Sequence, residues 1–94
     1  MHCNSARYTS MKLIYFYSKT CKTCRQQEAE FEAHVPSQPM RKVEITSEAA
    51  PCLMRKYKIT DVPTTLLTDD CDNAAHYFID FHTTADIEDW IARH

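Results

Sequence analysis

The chain has no glycine, no apolar run approaching the length of a membrane span, and no excess of charge of either sign. Without such a run, no segment is expected to cross a bilayer as a helix. The formal net charge is −2, with Lys, Arg, Asp and Glu interspersed. There is therefore neither a basic face for nucleic acid nor an acidic tail that would keep the chain disordered. Residues 1–10 lack the apolar core of a secretory leader, which makes the cytoplasm the expected location and free thiols the expected state of the cysteines. Five cysteines also do not fit the even disulfide framework of a small secreted domain. Cys3, Cys52, Cys71 and the five histidines stand singly, with no second C-x-x-C and no H-x-x-x-H, so a four-ligand zinc site is not expected. Without glycine, any helix end or turn that favours one is made with a residue carrying a β-carbon. No linker divides the 94 residues, and at 44% hydrophobic they suffice for one buried core without a metal or a structural disulfide.

What the chain does have is Cys21-Lys22-Thr23-Cys24, shortly after the apolar run Leu13-Ile14-Tyr15-Phe16-Tyr17. Two cysteines at this spacing can form a reversible disulfide, which is a redox motif. The run before them is β-branched and aromatic, whereas Arg25 to Val35 is rich in Glu, Gln and Ala and free of Pro, as a helix prefers. A strand thus delivers the pair to a helix N-terminus, where unpaired N–H groups and a partial positive charge favour a thiolate at Cys21. Cys21 is the expected attacking residue. Cys24 lies one turn further along the same helix face and is the expected resolving residue, which attacks the mixed disulfide formed on Cys21. Lys22 adds a cation beside Cys21 that also favours the thiolate.

The rest of the pattern gives an ordered set of elements. Residues 11–17 read as strand, Cys21 or Lys22 to about His34 as helix, 41–46 as strand and 51–57 as helix. Pro51 suits the first position of its helix, with Leu53, Met54 and Tyr57 as the inward stripe. Residues 64–68 and 75–81 flank the polar cluster Asp69-Asp70-Cys71-Asp72-Asn73 and read as a hairpin. Thr83 to Asp86 can cap a last helix that carries Ile87, Trp90 and Ile91 on one face. The order is β-α-β-α-β-β-α. A right-handed crossover then gives an α/β fold with a four-stranded mixed sheet, its first two strands parallel, its last two antiparallel, and helices on both faces. Tyr15, Phe16 and Trp90 are expected in the core rather than as ligand-stacking groups. His34, His76, His82 and His94 read as surface residues, Cys52 and Cys71 as incidental thiols with a regulatory role or a second disulfide as alternatives, and Cys3 as part of a tail.

Together with Lys56-Tyr57-Lys58-Ile59-Thr60-Asp61-Val62-Pro63-Thr64, the cysteine motif resembles the thioredoxin superfamily, thioredoxin itself more than glutaredoxin. The resemblance covers Lys12 to the C-terminus and implies the minimal thioredoxin fold, with 1–10 as an N-terminal tail and 11–94 as a thioredoxin-like domain. It also implies that Pro63 is cis and that Val62 and Pro63 lie against Cys21, forming with Thr20 the groove for an extended substrate segment. Thr20 stands where the family usually has Trp, and Lys22-Thr23 where it has Gly-Pro. Tyr15 falls where the family has a buried Asp that helps deprotonate the inner cysteine. The lysine partner of that Asp matches Lys42, which the resemblance makes a modulator of Cys24, with Glu44 or water as alternatives. Lys58 falls at a helix end where the family often has Gly, and Asp80 near a family Gly beside the active site. Glutaredoxins carry a Gly-Gly segment after the cis Pro for glutathione, and Asp69 to Ile79 contains none.

The sequence reading is therefore a thiol–disulfide oxidoreductase that reduces protein disulfides through a Cys21/Cys24 cycle. It is expected to be a cytoplasmic monomer with no bound cofactor and no metal, and to take electrons from an unidentified reductase. The alternatives are a glutaredoxin-like, glutathione-dependent reductase, a redox-responsive binding module without turnover, and a metal-binding domain.

Overall fold

The apolar run after Met11 forms strand β1 (Lys12–Tyr17) in a computed structural model that describes residues 11–94. There follow α1 (Lys22–Ala33), β2 (Met40–Glu44), α2 (Ala50–Tyr57), β3 (Thr64–Thr68), β4 (Ala74–Ile79) and α3 (Thr84–Arg93). The sheet order is β2-β1-β3-β4, with β1 parallel to β2 and antiparallel to β3, and β3 antiparallel to β4. This is the α/β architecture expected from the order of elements. The tail, and Cys3 with it, lies outside the described residues.

β1 has no polar face because both of its faces are covered. Leu13 and Tyr15 pack with Phe31 of α1 and with Ile87, Trp90 and Ile91 of α3, while Ile14 and Phe16 pack with Ala50, Leu53, Met54 and Tyr57 of α2. The alternation of a strand thus sends successive β1 residues into two separate apolar clusters. The central strand is held on both sides as well, and its C-terminal end, where the cysteine motif begins, is fixed in place.

Several boundaries differ from the sequence reading for identifiable reasons. β2 stops at Glu44 because Glu44 O accepts from Ser47 N (2.9 Å) and Ser47 Oγ (2.6 Å), which turns the chain. β4 stops at Ile79 because Asp80 takes a φ of 71°, although its N–H still donates across the hairpin to Pro63 O at 2.8 Å. The hairpin turn is closed by the Asp69 carboxylate, which accepts from Cys71 N (2.9 Å) and Asn73 N (3.0 Å). A bulge between Leu67 and Thr68 absorbs the extra residue. Among the described residues, the glycine-free chain makes its left-handed positions with Lys58, Asp72 and Asp80.

α1 and the loop before α3 are joined by buried polar contacts that no hydrophobic pattern signals. Gln27 has no exposed surface, and its amide uses both ends on one residue: Nε2 donates to His82 O and Oε1 accepts from His82 N, each at 2.8 Å. Glu30 Oε2 accepts from Thr84 N at 2.9 Å, and Thr84 Oγ1 donates to His34 O. His76 is half-buried and not fully exposed as the sequence suggested. Its ring stacks on Trp90 at 4.5 Å, and burial, with His94 and His82 nearby, lowers its pKa below the ordinary value.

Candidate active site

Past β1 the chain makes a short turn. Thr20 N donates to Ser18 Oγ (3.3 Å), the Ser18 and Thr20 hydroxyls pair at 3.0 Å, and Cys21 N donates to Ser18 O (3.3 Å). This turn sets Cys21 as the N-cap of α1, with an extended backbone (φ −86°, ψ 120°) and its Sγ accepting from Cys24 N at 3.1 Å. Ser, Thr or Asp usually does this work. Here a sulfur does it, so the nucleophile candidate sits at the positive end of the helix dipole, where negative charge is stabilised.

The two thiols are free but unequal. Cys21 is partly exposed, whereas Cys24 is buried with no accessible surface. Burial first, then the hydrogen bond with Cys21, pushes the Cys24 thiol up from its ordinary 9.0 to about 11; the Ser18 backbone and the Tyr15 hydroxyl pull the other way. A substrate can therefore reach Cys21 and not Cys24. The arrangement supports one exposed, helix-capped sulfur and one thiol kept protonated beneath it.

The opposite wall is the segment before β3. The Val62–Pro63 peptide bond is cis, and Val62 O lies 4.0 Å from Cys21 Sγ, at the outer limit for an S–H donor. Pro63 is buried and Val62 half-buried. The loop is held by Thr64 Oγ1 donating to Asp61 O at 2.7 Å and by Asp80 N donating to Pro63 O at 2.8 Å. The structure thus brings Val62 and Pro63 to the cysteine pair. Thr20, exposed in the preceding turn, adjoins Cys21 on the other side, and Lys22 is exposed at the first residue of α1.

Lys42 requires a correction. It is the register partner of Tyr15 on edge strand β2, but its side chain is exposed and lines a surface groove with Phe31, Glu32 and Val35. Phe31 and Glu32 lie seven and eight residues beyond Cys24 on α1, roughly 10–12 Å of helix rise. Lys42 is not among the groups that set the Cys24 thiol. An edge strand leaves a long cationic side chain free to reach solvent, and this one does. Glu44, the other candidate, accepts from Thr46 N and Thr46 Oγ1 in its own turn.

The group that does lie beneath Cys24 is Tyr15, whose hydroxyl donates to Cys24 O at 2.9 Å. Its ring is fully buried, edge-on to Phe31 and stacked on Tyr17. Reading Tyr15 only as core missed the hydroxyl. The available signal was that a tyrosine inside an apolar strand must find a partner for its O–H.

One other cluster of potential ligands stands out among the described residues: Asp69, Asp70 and Cys71, with ligand atoms within 4.8 Å of one another. It lies at the far end of β3 from Pro63. The Cys71 sulfur is disulfide-bonded, and the Asp69 carboxylate closes the turn. Of the alternatives the sequence left open, Cys71 thus takes the disulfide against the favoured inert reading, while Cys52 is exposed and free.

A family model described as thioredoxin matches residues 5–93. No curated protein matches the chain. Among solved structures it is similar to thioredoxin-2 of a malaria parasite, with a TM-score of 0.74 and 21% identity over 90% of this chain and 84% of that one. It is also similar to a thioredoxin of Fasciola hepatica, with a TM-score of 0.71 and 23% identity over 92% and 82% of the two chains. A mutant thioredoxin of Halobacterium salinarum gives a TM-score of 0.74 at 21% identity, over 90% and 74%. With the family model spanning nearly the whole sequence and the fold shared, the chain belongs to the thioredoxin family, whose members are in general thiol–disulfide oxidoreductases.

Proposed function

We propose that the protein reduces disulfides in protein substrates by cycling Cys21 and Cys24 between dithiol and disulfide. It does so as a cytoplasmic monomer with no bound cofactor, and is re-reduced by a separate reductase. The Cys21 thiolate attacks one sulfur of the substrate disulfide, forming a mixed disulfide and releasing the first substrate thiol. Cys24 then attacks Cys21 Sγ, the Cys21–Cys24 bond forms, and the second substrate thiol leaves. Two electrons pass from the dithiol to the substrate. An extended segment of the substrate lies along Val62, Pro63 and Thr20, where the backbone before Pro63 offers hydrogen-bonding groups.

The observation that carries this reading is Cys21 Sγ capping α1 through Cys24 N at 3.1 Å while the Cys24 side chain is buried. It separates an accessible attacking sulfur from a shielded resolving one. The test is trapping. Cys24→Ser should accumulate mixed disulfides with a reducible protein such as insulin, Cys21→Ser should accumulate few, and the wild type should turn over with dithiothreitol as reductant. Equal trapping by the two variants, or trapping through Cys24 alone, overturns the assignment.

A further inference from the structure

Resolution requires a thiolate at Cys24, a group held in the core with no accessible surface. Burial opposes that charge, and a buried charge needs a hydrogen-bond donor. Two donors favour the charged form, the Ser18 backbone and the Tyr15 hydroxyl, and the second is a side chain that can turn. In the resting dithiol its O–H donates to Cys24 O at 2.9 Å, yet that carbonyl lies inside α1, whose own ladder offers it the Glu28 N–H. The Tyr15 hydroxyl, seated on the Cys24 backbone, also favours the charged form of the Cys24 side chain. A phenol carries a single proton and can rotate it between two acceptors on the same residue.

We propose that Tyr15 acts in resolution: its hydroxyl proton swings from Cys24 O to Cys24 Sγ as the thiol becomes a thiolate, and so stabilises the attacking sulfur. The inference deepens the Cys21/Cys24 cycle and rests on it. Starting from the mixed disulfide, Cys24 S–H loses its proton, Cys24 Sγ bonds to Cys21 Sγ, and the bond from Cys21 Sγ to the substrate sulfur breaks. The departing substrate thiolate ends with a proton, and Tyr15 neither gains nor loses one overall. Tyr15 is a donor rather than a base. Its burial, with Cys24, Glu28 and Cys21 of α1 facing it, holds its own ionisation well above the ordinary value. From β1 it is faced by the Tyr17 ring, and Lys42 of β2 points to solvent.

The test is Tyr15→Phe, which keeps the ring between Phe31 and Tyr17 and removes only the oxygen. In stopped-flow single turnovers, formation of the mixed disulfide should stay within about twofold of wild type. Its release should slow roughly tenfold near neutral pH, and the midpoint of the release-against-pH curve should move upward by about one unit. Unchanged release, or formation and release slowed alike with the same midpoint, overturns the proposal. On the unmodified protein, the Tyr15 ring carbon that bears the hydroxyl, followed by carbon NMR, should shift in step with ionisation of Cys24. A resonance that stays still through that titration overturns the proposal without any variant. Failure of Cys24→Ser to trap substrate removes the cycle itself, whereas trapping together with normal release in Tyr15→Phe removes Tyr15 alone.

Discussion

Replacing Lys58 by glycine should stabilise the protein, although it deletes a side chain and adds no contact. Lys58 follows α2 in the left-handed conformation (φ 56°, ψ 45°). Its N–H donates to Arg55 O at 3.3 Å, and the next N–H, of Ile59, donates to Met54 O at 2.8 Å. This is the double bond of a Schellman end, and Ile59 and Met54 meet in the same apolar cluster, as that motif favours. A β-carbon in this conformation costs about 1–2 kcal/mol, whereas glycine adopts it freely but loses about 0.5–1 kcal/mol more backbone entropy on folding. The Lys58 charge near the helix C-terminus contributes a few tenths of a kcal/mol, which any neutral replacement forfeits. Lys58→Gly should therefore gain about 0.5 kcal/mol, and Lys58→Ala, which keeps the β-carbon, should lose about as much. The decisive quantity is their difference of about 1 kcal/mol, or roughly 4–8 °C in melting temperature for a domain of this size. Urea unfolding of the reduced protein at 25 °C measures it, with the slope unchanged among the three proteins. If Ala stabilises as much as Gly, or if Gly is the less stable of the two, the left-handed cost is not what limits this helix end.

Two further outcomes follow from buried groups. Thr65 is 1% exposed and its hydroxyl has no hydrogen-bond partner among the described residues, so Thr65→Val should stabilise by about 1 kcal/mol; a loss in chemical denaturation would reveal a partner for that hydroxyl. The reduced protein should also lose stability in alkali. The Cys24 thiol is raised to about 11 when folded, from 9.0, so its contribution is fully present below pH 9 and disappears as pH rises towards 11. Cys24→Ala should flatten that part of the stability-against-pH profile, and an equally steep fall in the variant would assign it to other groups.

The fold was legible because its signals were local and agreed with one another. An apolar run buried on both faces, a proline in the first turn of α2 and a threonine cap on α3 each point to one element. What escaped the sequence was side-chain direction. Lys42 shares a register position with Tyr15, and only its place on an edge strand lets the ammonium turn to solvent. His76 reads as polar, yet the order of the sheet puts β4 beside α3 and its ring against Trp90. Gln27 breaks the apolar stripe of α1, and its burial makes sense only once His82, far along the chain, presents both a donor and an acceptor to it. At the site, the spacing of the cysteines was readable, but the hydroxyl beneath them required the contact between Tyr15 and α1.

One helical turn accounts for the unequal exposure of the two sulfurs. The buried residues of α1 are Cys24, Gln27 and Phe31, a spacing of three and four that defines the inward stripe. Cys21 precedes the helix, so its sulfur is free to fold back over the first turn and accept the Cys24 N–H. Each residue advances the helix by about 100°. Moving the second cysteine one place either way would carry its sulfur off the stripe, towards solvent and away from Tyr15. The spacing therefore does more than bring two sulfurs within bonding distance. It puts one at the helix cap, partly exposed, and the other in the core, where burial opposes charge. A carboxylate below the inner cysteine could take up its proton, but a phenol there can only donate one. In the proposed cycle, the Tyr15 site is thus suited to holding a thiolate once formed.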